Sequence, residues 1–150
     1  MPTALRRAFS EAKRLTDRHT SLLEQDALAD LLDSGTYERH VRSIRRKNAE
    51  RRAVLLQAMS DYLGSSVSIA GAETGLHVVV WVNSVATDRE TTIITAAREA
   101  GVGLYPVSPL YDATEHRPAA AGFILGYAGL DAVAIRRGIA VLAKVLAEHC

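Results

Sequence analysis

The chain has 150 residues, of which 48% are hydrophobic and 23% charged, and its formal net charge is +1. That length suits one domain with a core of its own, and the near-neutral balance does not by itself call for nucleic acid or an anionic membrane. The lone cysteine, Cys150, rules out a disulfide framework within the chain; no apolar run is long enough to span a bilayer, the charged amphipathic start is unlike a signal peptide, and a cytoplasmic location is expected.

The first predicted element is a helix from Pro2 to Arg18, with Leu5, Phe9, Ala12 and Leu15 or Thr16 at helical spacing. A polar break at His19, Thr20 and Ser21 follows. Ser21 is expected to cap a second helix with a core face of Leu22, Leu28, Leu31 and Leu32, ended by Gly35. Thr36 then caps a long helix to about Leu63. Its stripe is Tyr37, Val41, Ile44, Val54, Leu55, Ala58, Met59 and Tyr62, with a polar interruption between Arg45 and Arg52 and a stop at Gly64.

Beyond Gly64 the period changes to two. Val67 and Ile69 alternate with Ser66, Ser68 and Ala70, as in a half-buried strand. Gly71 to Gly75 supplies a turn, and Leu76 to Val82 reads as a central strand. Thr87 or Asp88 caps a helix facing inward through Ile93, Ile94, Ala97 and Ala100 and ended by Gly101. A short strand, Val102 to Val107, runs into a loop from Ser108 to Ala119. A last strand covers Phe123 to Ala128. Asp131 caps the final helix, with Val133, Ile135, Ile139, Leu142, Val145 and Leu146 inside. The order is three helices, then β-β-α-β-β, then a helix. It predicts an α+β two-layer sandwich: a small, mostly antiparallel or mixed sheet with long helices on one face.

Particular words stand at particular places in that order: Ala12 to Thr20, Leu22 to Gln25, Ala27 to Asp30, Gly35 to Arg45 leading into Glu50, Arg51 and Arg52, then Gly75-Leu76-His77, Tyr105 to Pro109, and Leu125 to Leu130. Taken together they resemble the C-terminal small domain of class I/II (fold type I) aminotransferases, and most of all the aminotransferase-like domain of MocR-type regulators of the GntR family. The resemblance covers nearly the whole chain. It implies one small domain over residues 1–150, with the helices of residues 1–35 packed on a missing large domain. It implies pyridoxal 5'-phosphate as the family's cofactor, an amino acid as its ligand, and a large domain or homodimer partner. It implies neither DNA contact nor membrane contact for this segment.

In this family the cofactor lysine lies in a Ser-x-Ser-Lys-type stretch upstream of the matching segment, with the phosphate-binding arginine after it. Lys13, Lys47 and Lys144 each sit in a predicted amphipathic helix and none resembles that motif. The expectation is a chain with no catalytic or cofactor-binding residue of its own, inactive alone because covalent catalysis needs an amine held against the cofactor. The family also grips the substrate carboxylate with an arginine just before the last strand, where a guanidinium fork matches two oxygens. The nearest candidate is Arg117, although Ala119 to Gly122 place it further ahead of Gly126 than the pattern does; the plainer reading is a solvated loop arginine. His77 is a second candidate, lining the site mouth, against the plainer reading of a packed strand histidine. The basic run Arg39, His40, Arg42, Arg45, Arg46, Lys47, Arg51 and Arg52 reads as a solvated helix face before it reads as a phosphate-binding one. The histidines lack metal-ligand spacing. Two further parents stay open: a true amino-acid aminotransferase, or a stand-alone protein-interaction module; a gene remnant with no selected function is a third possibility.

Overall fold

A computed structural model of the chain describes residues 2–17, 21–73, 75–111 and 118–149. The backbone falls into two compact units, Met1–Ile44 and Arg45–Cys150.

The first unit holds α1 (Thr3–Asp17), α2 (Leu22–Asp33) and the start of α3 (Thr36–Tyr62). Gly35, at φ +66°, makes the sharp exit from α2 that only a residue without Cβ adopts cheaply. Ser34 N–H and Gly35 N–H donate to Asp30 and Leu32 carbonyls, which closes the helix end. The expected core face of α2 is not one: none of its residues is buried, and Leu22, Leu28, Leu31 and Leu32 are all exposed. Ser21 precedes α2 as expected, but its side chain makes no capping hydrogen bond. On α1, Leu5, Phe9 and Leu15 are likewise exposed. The helical period was right; what the sequence pattern could not give was a neighbour for the stripe inside this unit.

The second unit holds the rest of α3, β1 (Val67–Ala70), β2 (His77–Ala86), α4 (Glu90–Glu99), β3 (Tyr105–Pro106), β4 (Ala120–Gly126) and α5 (Ala132–His149). The four strands form one sheet in the order β1-β2-β4-β3, every neighbouring pair antiparallel. The predicted α+β fold with its β-β-α-β-β core is therefore present. Val78, Val80 and Val82 on β2, with Ala121, Phe123 and Leu125 on β4, all point to one side. There they join Leu55, Ala58 and Met59 of α3, Ile93 and Ala97 of α4, and Ile135, Ile139, Leu142, Val145 and Leu146 of α5 in a single apolar core. Burying each of the larger of these side chains contributes roughly 1.5–3 kcal/mol, so this layer carries the unit's stability.

Several boundaries differ from the expectation. β2 continues past Val82 to Ala86 through an irregularity in its pairing with β4, the kind of bulge that no periodicity rule anticipates. β4 begins at Ala120, not Phe123, because small residues of weak strand propensity are held there by neighbours. β3 is only two residues long. Tyr127 leaves the sheet yet is buried, its hydroxyl donating to the Gly75 carbonyl at 2.7 Å. Asp131 caps α5 as expected, its Oδ1 accepting from Ala134 N–H at 2.7 Å. Val133 is exposed, since it lies two residues from Ile135 and so on the opposite side of the helix.

Candidate functional site

The sheet has a second face, and its residues follow from the register. Across the strands run three rows: Ser68, Trp81 and Gly122; Ala70, Val79, Ile124 and Tyr105; and His77 with Gly126. Directly opposed residues share a face, so these rows form one surface opposite the apolar core, and none of their members belongs to that core. Val79, Trp81 and Ile124 are half-buried, while His77 and Tyr105 are exposed. The surface offers three rings and two glycine gaps, a wall suited to flat or apolar groups.

The gaps are filled by the neighbouring rings. A Cβ at Gly122 would lie 2.5 Å from Trp81 Cζ3, and one at Gly126 would lie 3.1 Å from His77 Cδ2. Both rings therefore rest on bare backbone of β4. Behind Gly122 stands Glu90, the first residue of α4 and only 3% exposed. Its Oε1 accepts from Gly122 N–H at 3.0 Å, while its Oε2 is buried and has no hydrogen-bond partner. Thr87 ties the same corner: its N–H donates to Ala119 O, and its hydroxyl donates to the Pro118 carbonyl and contacts that of Ala120 at 3.1 Å. Helix α4 thus fixes where β4 begins, and β4 fixes the pose of Trp81.

His77 opens β2 on this wall. Arg117 lies outside the described residues, as does half of the predicted loop around it. Trp81 was not among the residues singled out in the sequence, although its alternation with His77 and Val79 places it on their face. Glu90 carried no sequence signal beyond its place at a helix start.

Four of the eight residues of the basic run on α3 are engaged within the fold. Arg39 Nη2 donates to Thr36 Oγ1 at 2.9 Å and Arg42 pairs with Glu38 at 3.0 Å. Arg51 donates to the Ala128 carbonyl at 2.6 Å, and Arg52 to that of Glu73 at 2.7 Å. The last two bonds tie the helix to the loops at the sheet's end, a structural role that neither the solvated-face nor the phosphate-binding reading described. Among the described residues no cluster of ligating side chains has metal-site geometry, and no helix is long and apolar enough to cross a membrane.

A pyridoxal cofactor needs an amine held in a pocket, and the lysines test the fit. Lys13, Lys47 and Lys144 are all exposed, on α1, α3 and α5, and none lies on the ring-lined wall. The described residues do not fit the cofactor as a complete site, and no chemical step through it follows from them.

No protein-family model matches the chain. Over 139 residues, 93% of its length, the chain is 35% identical to the uncharacterized HTH-type transcriptional regulator YhdI of Bacillus subtilis and 31% identical to YdeL, another such regulator of that organism. It is 32% identical over the same length to the probable rhizopine catabolism regulatory protein MocR of Rhizobium meliloti. The chain spans only 29% of the length of the first two and 27% of the third. In fold it is similar to LysN, an α-aminoadipate aminotransferase of Thermus thermophilus solved with N-(5'-phosphopyridoxyl)-L-leucine: TM-score 0.76 at 26% identity, covering 99% of this chain and 36% of that one. The kynurenine aminotransferase of Pyrococcus horikoshii gives a TM-score of 0.80 at 24% identity, covering 98% of this chain and 35% of that one, a likeness of fold alone.

Proposed function

Since the chain is an aminotransferase-like C-terminal domain of the kind found in MocR-type regulators, we propose that its ring-lined sheet face is one wall of an amino-acid effector cleft completed by a large domain. The large domain would supply the lysine and the phosphate cradle for pyridoxal 5'-phosphate. His77 would line the mouth of the cleft, and Arg117 is the candidate carboxylate anchor. The observation that carries this reading is the mismatch between wall and amine: the sheet offers His77, Trp81 and Tyr105 on one face, while all three lysines stand exposed on helices. A regulator is preferred as the parent over an enzyme because the relatives aligned over 93% of the chain carry regulator names. The chain alone then has no transaminase activity and makes no direct DNA contact, and the whole assembly works in the cytoplasm.

The exposed leucines of α1 and α2 are the surface that would pack on the large domain. They also favour a second reading, a module that pairs with itself through the same leucines.

Trp81 is the only tryptophan and lies on the wall, so it reports both cases. With fluorinated Trp81 in this chain alone, adding the large domain of a MocR-type relative shifts its fluorine resonance and produces co-elution on size exclusion. Separate elution with an unchanged resonance contradicts the cleft. A dimer of the chain alone, with Trp81 unaffected, supports the self-pairing module instead.

A further inference from the structure

A cavity of about 440 Å³ lies within the second unit, between α5, the turn after α4 and the end of β4, and shares Gly126 with the edge of the ring-lined wall. That volume falls in the roughly 300–1,000 Å³ range of ligand pockets. Its floor is apolar core: Leu55, Leu125, Tyr127, Ile135 and Ile139 are all buried. One charged side chain lines it, Arg137, and no acidic one does. Arg137 is exposed and has neither hydrogen bond nor ion pair among the described residues, whereas the adjacent Arg136 pairs with Asp61 at 3.6 Å.

The opening is kept by glycines. A Cβ at Gly101, Gly103 or Gly138 would meet nothing within 4 Å, so each gap faces open space. Gly138 is the informative one, because it lines the cavity from inside α5, where glycine is a poor helix former. An apolar floor, space held open at a cost to the helix, and one unpaired guanidinium at the mouth share a single chemical complement. We propose that this cavity is a binding site for a small organic anion with an apolar body and one carboxylate, the body on the floor and the carboxylate on Arg137. A guanidinium accepts a carboxylate in two parallel hydrogen bonds, and the dry floor excludes a wholly polar ligand. The site shares Gly126 with the wall of the cleft proposed above but none of its rings.

Decanoate is the probe and decanol its uncharged counterpart, each titrated into the full chain by calorimetry. Decanoate is expected to bind at one site, and decanol more weakly. Arg137→Gln lowers decanoate affinity roughly tenfold and leaves decanol unchanged, as loss of a charge-assisted pair requires. Gly138→Leu removes binding of both without lowering the unfolding temperature. Val141→Phe, which narrows the cavity from another position, does the same and guards against misfolding of the first variant. No binding of decanoate by the native chain, equal binding by both filled variants, or equal loss of acid and alcohol in Arg137→Gln each overturns the proposal.

Discussion

A methyl group added at Gly122 would lie 2.5 Å from Trp81 Cζ3 and 2.7 Å from Cε3, closer than carbon atoms approach. The indole is rigid and cannot fold away like the tip of a lysine. Gly122→Ala is therefore expected to lower stability by about 1–3 kcal/mol, as overpacking does. Adding Trp81→Leu should return much of that loss, because the two sites are in contact and their effects are not additive. Urea denaturation of the two single variants and the double variant measures the coupling; a fully additive result would mean the ring does not rest on that backbone. Glu90 supports the same spot from behind through its 3.0 Å bond to Gly122 N–H. Glu90→Ala leaves a buried donor without a partner, a loss of roughly 1–3 kcal/mol, and Glu90→Gln, which keeps an acceptor, should lose less. Of these residues the sequence reading offered His77 alone; alternation along the strand then puts Trp81 on the same face. It could not offer Glu90 or the gaps at Gly122 and Gly126. Those depend on which residue stands opposite on the neighbouring strand, and register is a tertiary fact.

The elements were legible in proportion to how much of their signal was local. Glycines at 35, 64 and 101 ended helices where expected, each with positive φ, because the left-handed conformation is a property of the residue itself. Asp131 capped α5 through an equally local device, its carboxylate accepting from Ala134 N–H. Strand limits failed where pairing decides them: β2 runs past its apolar segment, and β4 recruits Ala120, Ala121 and Gly122, which read alone as a loop. Helix α2 shows the converse. Its leucines keep an amphipathic spacing, but no residue of its twelve is buried. A helix of that length without burial is marginal in water. Amides of α2 are therefore expected to exchange hydrogen through local opening, well before those of β2, β4 and α5, which exchange only when the apolar core opens. Protection of α2 equal to that of β4 would show that its leucines are covered in solution by something the first unit does not itself supply.

At the scale of the whole molecule, the fold and its kinship were carried by an ordered set of short words, and both the relatives and the solved structures agree with them. The three lysines project from helix surfaces, whereas the described rings of His77, Trp81 and Tyr105 line a sheet. The most direct measurement is borohydride reduction of the purified chain with one equivalent of pyridoxal 5'-phosphate, followed by peptide mapping. The account predicts only sparse, unsaturable labelling spread over Lys13, Lys47 and Lys144. Stoichiometric modification of any one of them, blocked by an added amino acid, would contradict it.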